Sequence, residues 1–154
     1  MASFVYGPGA LRLIIGNAQT TTVDWPNDAT IKAGLSTSTH VPNKDNTFLD
    51  DAGADDFIDG ELSGTGYTAD GDALGTQTVA YDSANDRVEF DAADAAWTGI
   101  NAGTAAQATV LKDSGAQNTS PVICNVDTGG FPVVTNGGDL TIQWNAEGIF
   151  QLTV

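Results

Sequence analysis

Carboxylates are the only abundant reactive side chains of this sequence. The 154 residues include 20 Asp and Glu against five Lys and Arg, and the formal net charge is -15. Calcium takes several oxygen ligands from carboxylates and loop carbonyls. The candidate ligands are the acids of one dense run, Asp50, Asp51, Asp55 and Asp56, and a smaller cluster at residues 70–72. Neither cluster has the spacing of an EF-hand loop, so we expect a solvated acidic loop and no resident metal or cofactor.

Nucleophilic chemistry has few candidates. His40 is the only histidine and Cys124 the only cysteine, so neither a zinc site of the usual composition nor an intrachain disulfide can form. A histidine-dependent triad would need His40, and no sequence motif around a serine supports one. We predict that His40 is a hydrogen-bonded surface or loop residue. Cys124 lies in the apolar run 122–124 and is predicted to be a buried, inert thiol.

Glycoside hydrolysis is the remaining catalytic option for a chain so rich in acids. That reaction needs two carboxylates that face each other across a sugar-sized cleft, and such clefts are usually lined with aromatic side chains. The three Trp, three Tyr and six Phe of this chain must also supply its core. We therefore predict that the protein is not an enzyme and has no catalytic residues.

The charge balance restricts the partners. No cluster of Lys or Arg is present to neutralise phosphates, which disfavours nucleic acid and an anionic membrane surface as partners. A basic protein surface and divalent cations remain open. The apolar segment 11–15 is too short for a membrane span and contains a charge, so we expect neither a signal peptide nor a transmembrane segment.

The elements that must position these residues are predicted to be strands. Asp, Asn, Thr and Gly are frequent, while Glu and Lys, which favour helices, are rare. Short apolar or alternating runs between turn residues predict strands at residues 10–15, 30–35, 76–81, 87–90, 95–97, 105–111, 121–126, 139–144 and 149–154, with an extended run at 19–23. Residues 36–59 have no steady period and predict one long acidic loop with a helical turn at its centre. Trp25, Trp97 and Trp144 lie at or near strands and are predicted to pack in the core or against sheets.

These elements predict an all-β protein with one antiparallel domain, either a β-sandwich or a barrel-like fold with a long acidic loop. A chain of 154 residues fits a single domain. We divide it into an N-terminal strand or arm at residues 1–24 and a β-domain at residues 25–154.

The order of several motifs resembles a family of small structural proteins of tailed bacteriophages and prophages. Residues 60–71 contain an acid, a spacer, Gly-Thr-Gly-Tyr-Thr and a further Gly before a strand. Residues 79–82 and 91–97 resemble that family's next strand and its Asp-Ala-x-Asp-x-x-Trp element. Residues 140–150 are similar to its closing hairpin, and residues 29–38 to its early Thr-Ile-Lys-x-x-Leu strand.

The resemblance implies a virion component, with capsid decoration, or cement, as the leading role. It implies the major capsid protein as partner, location on the capsid surface after synthesis in the host cytoplasm, and a homo-oligomer, since decoration proteins commonly form trimers. Residues 1–24 would be an arm that contacts the capsid or a sister subunit. Two alternatives stay open: a tail or fibre module that binds a host glycan or receptor, and a degraded carbohydrate-active domain.

Overall fold

Short strands separated by turns make up nearly all of the regular structure. The computed structural model describes residues 4–6, 23–51 and 56–153. Its strands are β1 (Phe4–Val5), β2 (Ile31–Ser36), β3 (Asp72–Ala73), β4 (Thr78–Asp82), β5 (Arg87–Asp91), β6 (Ala95–Trp97), β7 (Gly103–Ala105), β8 (Gln107–Lys112), β9 (Val122–Val126), β10 (Val133–Thr135), β11 (Leu140–Ile142) and β12 (Phe150–Thr153). One helical turn, α1 (Phe57–Gly60), and a 3-10 turn at Gln117–Thr119 complete the described elements. The prediction of an all-β protein is confirmed.

The strands form four sheets, and every strand pair within them is antiparallel. The largest sheet has the order β1-β9-β8-β2-β3. A three-stranded sheet has the order β12-β5-β4, and two-stranded sheets pair β10 with β7 and β11 with β6. The described strands do not close into a barrel.

The central strands β2, β8 and β9 are buried along almost their whole length. This follows from apolar groups on both faces of the five-stranded sheet. One face meets the main core, which includes Trp25, Ile31, Leu35 and Trp97. A second core contains Tyr6, Leu49, Phe57, Leu111 and Val122. Because both faces are covered, burial along these strands is near-continuous and does not alternate from residue to residue, although polar residues such as Thr109 and Asn125 are included.

Gly34 allows the second core to approach the sheet. A Cβ atom at this position would lie 2.5 Å from Cζ of Phe57, which is far inside van der Waals contact. Phe57 is in α1, so the absence of a side chain at Gly34 lets the helical turn pack directly on β2. Gly60 allows a similar close approach at the end of α1, between the helical turn and the loop at His40, because an added Cβ would meet the backbone of His40.

The β4–β5 hairpin is the prediction that local pattern supports best. Residues 78–82 pair with residues 87–91 in register, close to the predicted runs 76–81 and 87–90. Asp82 organises the turn, because its carboxylate accepts bonds from the backbone N–H of Ala84 at 2.9 Å and from Nδ2 of Asn85 at 2.6 Å. Asp86 adopts a positive φ of 49°, a conformation that Asp tolerates better than most residues.

Two predicted strands need correction. The run 105–111 is not one strand but the end of β7 and most of β8, which pair with different partners. The strand is interrupted at Ala106, whose N–H donates to the carbonyl of Ser36. The run 139–144 keeps its alternation, but only Leu140–Ile142 forms a strand. Trp144 leaves the ladder because its N–H donates to the Asp94 carboxylate at 3.0 Å.

The acidic loop is shorter than predicted and is folded against the sheet. Its helical turn lies at the end, in Phe57–Gly60, and not at the centre. Phe48 forms an isolated bridge with Pro121, and Leu49 is fully buried while its N–H bonds to the carbonyl of Ser120. Apolar residues that show no period in the sequence thus anchor the loop by isolated contacts.

The N-terminal residues contribute to the largest sheet. β1 pairs with β9, and the N–H of Tyr6 donates to the carbonyl of Ile123 at 2.9 Å. Tyr6 is completely buried. The predicted strand at residues 10–15 and the extended run at residues 19–22 lie outside the described residues, and the division at residue 24 stays a prediction.

Candidate functional site

Asp51 organises the acidic loop. Its Oδ2 accepts hydrogen bonds from the backbone N–H of Thr47 at 2.5 Å and of Phe48 at 3.2 Å. The side-chain amide of Asn46 donates to the same oxygen at 3.4 Å. Asp residues favour such local bonds to the backbone outside helices. Asp51 therefore closes a turn of the loop, and one oxygen of its carboxylate is committed to that role.

Asp56 is the second carboxylate of the cluster, and its position is unusual. It is the N-cap residue of α1, yet its side chain makes no capping bond. Instead, Oδ1 accepts from Nδ2 of Asn46 at 3.3 Å. The residue is 5% exposed, and Oδ2 is buried without a hydrogen-bond partner among the described residues. The amide of Asn46 therefore lies between the carboxylates of Asp51 and Asp56.

The charges around Asp56 are unfavourable for its ionised form. Burial raises the pKa of this carboxyl group, and the negative charge of Asp51 raises it further. Asp59 and Asp50 act in the same direction, and a bond from the backbone N–H of Asp51 opposes them. Two of the four predicted ligands, Asp51 and Asp56, thus come together. Asp50 is exposed, and Asp55 lies outside the described residues.

The second predicted acidic cluster is built around a residue that the sequence did not single out. Oε1 of Glu61 accepts from the hydroxyl of Tyr67 at 2.9 Å and from the N–H of Asp70 at 2.6 Å. Burial raises the pKa of Glu61, while the bond from Tyr67 opposes that shift. Asp70 in turn accepts from Gln117 at 2.9 Å. In the described ranges, no three or more acidic, His or Cys side chains come together to hold a metal ion.

His40 lies in a loop and is hydrogen-bonded, as predicted, but it is buried and does not lie on the surface. It is 3% exposed and packs edge-to-face on Phe57, with ring centroids 5.7 Å apart. Nδ1 lies 3.0 Å from Oγ of Ser36, and the His40 carbonyl accepts from Nε2 of Gln107 at 2.8 Å. Burial lowers the pKa of His40 to about 4. The sequence pattern does not predict this burial, because Phe57, on which His40 packs, belongs to a core that is assembled from distant segments.

Cys124 and two of the three tryptophans have the predicted structural roles. Cys124 is 1% exposed, and burial raises the pKa of its thiol far above the ordinary value. Trp25 and Trp97 are each 1% exposed in the main core. The ring of Trp25 meets Phe150 edge-to-face, with centroids 5.2 Å apart. These residues are therefore available for packing and not for contact with a ligand.

Trp144 differs from the other two, because it is half-buried at an open groove of about 640 Å³ beside β11 and β12. Its indole Nε1 donates to the carbonyl of Ala93 at 3.0 Å, which fixes the ring. The described lining combines an apolar part with amide and hydroxyl side chains, among them Phe131, Ile142, Ile149, Thr128, Gln143, Asn145 and Gln151. No carboxylate lines the described part of the groove. Its chemistry suits stacking and hydrogen bonding to a neutral polar ligand.

Among the described strands, β4 is an edge of its sheet, and its side chains are largely exposed. Val79 is 42% and Tyr81 59% exposed. The two residues are two positions apart on the strand and therefore share one face. An edge strand presents unpaired N–H and C=O groups to a partner strand, so β4 combines a backbone template with apolar side chains.

The basic side chains of Lys32, Arg87 and Lys112 form ion pairs within the chain. Lys32 lies 2.7 Å from Asp113, Lys112 lies 2.6 Å from Asp28, and Arg87 contacts Asp82 at 3.1 Å. These positive charges are shared with carboxylates of the same molecule, so the surface potential is dominated by the remaining acids.

The chain matches no protein family, and neither a curated protein nor a solved structure is significantly similar to it. No helix in the described parts of the chain is long and apolar enough to cross a bilayer.

Proposed function

We propose that this chain is a non-enzymatic structural protein of a tailed-bacteriophage virion, and that it decorates the capsid and stabilises the head by binding the major capsid protein. The observation that carries the proposal is the edge strand β4. Its outer edge, which no described strand pairs with, and the exposed Val79 and Tyr81 offer the two components of strand addition: main-chain hydrogen bonds for affinity and side chains for specificity.

The electrostatics favour a protein partner over nucleic acid. Net charge is -15, and the basic side chains at Lys32, Arg87 and Lys112 are paired internally. A surface of this sign repels phosphates and attracts basic protein surfaces. It also keeps the subunit soluble before assembly. The proposed partner surface on the capsid is therefore neutral or basic and includes an accessible strand or strand-like segment.

The positions of His40 and Cys124 support a structural role over a catalytic one. Both side chains are at most 3% exposed. A general base or nucleophile must reach its substrate within hydrogen-bond distance, and the burial of both residues opposes such contact. The proposal assigns them to packing, together with the hydroxyl of Ser36 that meets the imidazole.

The test is reconstitution on the capsids of a phage that encodes this chain. Capsids that lack the protein are mixed with it, bound copies are counted, and resistance to heat and to low ionic strength is measured. We expect stoichiometric binding, hundreds of copies per particle, and a higher rupture temperature. Absence of binding, or only a few copies at one vertex, would overturn the decoration role.

Variants at β4 localise the contact. Tyr81→Asp places a charge on the exposed face of the edge strand and is expected to abolish capsid binding while the free protein stays folded. Val134→Asp is the matched control, since Val134 is 69% exposed on β10, in a different sheet. Equal loss of binding in both variants would point to general charge repulsion and not to β4. Light scattering on the free protein measures whether it forms the homo-oligomer that the resemblance implies and, if so, whether that oligomer is a trimer.

A specific observation also favours the second candidate, a tail or fibre module that binds a host glycan. The groove at Trp144 pairs a fixed aromatic ring with the amides of Gln143, Asn145 and Gln151, and sugars are commonly bound by stacking together with hydrogen bonds. A glycan-array screen tests it, with Trp144→Ala expected to remove any binding that the unmodified protein has. Copy number separates the candidates: hundreds for decoration, few for a tail or fibre.

A further inference from the structure

A second open cavity, of about 630 Å³, lies where β2 and β9 end and β8 begins. Ser36 of β2 pairs with Gln107 of β8, and Val126 of β9 pairs with Ala108. In this antiparallel register Asp127, the residue after β9, lies across from Gln107. Both residues line the cavity. The topology of the largest sheet therefore brings a carboxylate and an amide from two strands together at one end of the sheet.

The amide of Gln107 belongs to a buried polar network. Gln107 is 4% exposed; its Nε2 donates to the carbonyl of His40 at 2.8 Å, and its Oε1 accepts from Nδ2 of Asn125 at 3.2 Å. Oδ1 of Asn125 in turn accepts from the hydroxyl of Thr109 at 3.1 Å. These buried side chains hold one another in place, so this side of the cavity is preorganised and a ligand would bind with little further ordering of it.

The rest of the described lining combines hydroxyl and apolar groups. The hydroxyls belong to Thr37, Ser38 and Thr104, and the larger apolar groups to Val41, Phe131 and Pro132. Among the described residues of the lining, Asp127 is the only one that is charged at pH 7, because burial lowers the pKa of His40 to about 4 and keeps its imidazole neutral. The cavity thus offers one negative charge, several hydroxyl acceptors and an apolar wall.

This combination matches a long basic side chain. Lys and Arg pack their methylene stems on apolar surface while the charged group reaches polar partners. A guanidinium has five N–H donors in a planar fork and stacks on aromatic rings, whereas an ammonium is a compact point charge. The carboxylate of Asp127, the neighbouring hydroxyls and the ring of Phe131 therefore suit arginine better than lysine. An anionic ligand would be repelled by Asp127 and by the net charge of -15.

We propose that this cavity receives an arginine side chain of the protein partner, with the carboxylate of Asp127 as acceptor for the guanidinium and Phe131 beside its planar face. A protein is the source of the arginine because an acidic subunit attracts basic protein surfaces. The identity of that partner as the major capsid protein rests on the proposed function, whereas the recognition of arginine does not. Since β4 belongs to another sheet, the cavity would be a second contact, additional to strand addition.

The first experiment titrates the full chain with the peptide Ac-Gly-Arg-Gly-NH₂ and, as a neutral control of the same shape, with the peptide that has citrulline in place of arginine. In ¹H–¹⁵N spectra, the arginine peptide should cause saturable shifts of the side-chain amide of Gln107 and of the backbone N–H groups of Thr104 and Asp127. The citrulline peptide should cause much smaller shifts. Equal responses to the two peptides, or shifts spread over many acidic residues without saturation, would overturn the proposal.

Asp127→Asn removes the charge of the cavity while it keeps the shape of the side chain, and Asp45→Asn is its control. Asp45 is exposed and does not line the cavity, so both variants lose one negative charge. We expect Asp127→Asn to bind the arginine peptide about tenfold more weakly, as for loss of a charged hydrogen-bond partner, and Asp45→Asn to bind as the unmodified protein does. Equal affinities of the two variants would identify diffuse attraction and contradict the site. If Asp127→Asn fails to fold, the comparison of the two peptides on the unmodified protein still decides.

Capsid binding separates this inference from the proposed function. Asp127→Asn should bind capsids about tenfold more weakly than Asp45→Asn does. Unchanged capsid affinity of Asp127→Asn would overturn the cavity as a partner contact and leave the decoration role in place. If the unmodified protein does not bind capsids, the decoration role fails, and the preference for arginine over citrulline still establishes or rejects the cavity as an arginine site.

Discussion

Two acid-rich regions of the molecule handle the same charge in opposite ways. At the β4–β5 hairpin, the guanidinium of Arg87 contacts Asp82 at 3.1 Å, Glu89 at 2.8 Å and Glu147 at 3.1 Å. In the acidic loop, the described donor that the carboxylates of Asp51 and Asp56 share is the neutral amide of Asn46. The first cluster contains a cation, whereas the hydrogen-bond donors described for the second cluster are uncharged.

The difference appears in the direction of the pKa shifts. Arg87 holds the pKa of Glu147 below its ordinary value, while burial and the charge of Asp51 raise that of Asp56. Ionised Glu147 therefore stabilises the folded state, and ionised Asp56 destabilises it. The number of acids in a segment does not decide whether the pKa of a carboxyl group is lowered or raised. The direction of the shift depends on whether a basic side chain, such as Arg87 at the hairpin, contacts the carboxylates.

The largest effect is expected where the acidic loop docks on the sheet, at His40. The folded-state pKa is about 4, against an ordinary 6.5. Below pH 6.5 the unfolded chain binds a proton that the folded chain does not, so stability falls between pH 6.5 and 4 by about 1.4 kcal/mol per pH unit, or about 3 kcal/mol in all. Urea unfolding of the unmodified protein and of His40→Gln measures this, since the variant should lack that part of the pH dependence. Parallel profiles would contradict a buried neutral imidazole.

The next effect concerns the contact between α1 and His40. In Gly60→Ala the added Cβ would meet the backbone of His40, and overpacking of this kind costs about 1–3 kcal/mol. Gly75→Ala is the control, because nothing lies within 4 Å of a Cβ at that position. Chemical denaturation should give a clear loss for Gly60→Ala and a small change for Gly75→Ala. Equal stability of the two variants would show that α1 is not packed as described.

The contrast between the two regions also separates what the sequence predicts from what it does not. The hairpin is local: its alternation, its Asp-rich turn and the four-residue connection all lie within one window, so residues 76–90 are predictable. Burial of His40 and Leu49 depends on Phe57, Val122 and Tyr6, which are far apart in sequence. No periodicity signals such a core, because each segment contributes one or two residues.

Strand pairing shows the same limit. The pattern places β2, β9 and β12 within one or two residues, but the short strands β3 and β10 were not predicted. Two and three residues are too few to display a period of two. In the candidate site, the acids at Asp51 and Asp56 are visible in the sequence, whereas the intervening amide of Asn46 is identified only by the fold.

A smaller effect is expected from Arg87→Gln, which makes the hairpin resemble the acidic loop. Three carboxylates lose their shared cation, so the variant should unfold at lower urea concentration than the unmodified protein at pH 7. Arg87→Lys keeps the charge and is expected to lose less. Because the folded-state pKa of Glu147 is depressed, its contribution is present above its unfolded-state pKa and is lost as pH falls through the folded value. The gap between variant and unmodified protein should therefore close in acid and shrink at high salt. A gap that is independent of both would assign the loss to packing.

The smallest effect, and the only one expected to be stabilising, is that of Asp56→Asn. The amide oxygen can still accept from Asn46, and the amide nitrogen takes the place of Oδ2, which has no partner among the described residues. We expect a gain of up to about 1 kcal/mol at pH 7, because the substitution removes a negative charge that burial and Asp51 disfavour. The pKa of Asp56 is raised in the folded state, so acidification protonates the folded protein first and stabilises it relative to the variant. The gain should therefore disappear as pH falls through that raised value, which is the reverse of the acid response at Glu147. Urea unfolding over a pH series distinguishes the two signs in the same protein, and a gain that persists unchanged in acid would remove the electrostatic basis of the comparison.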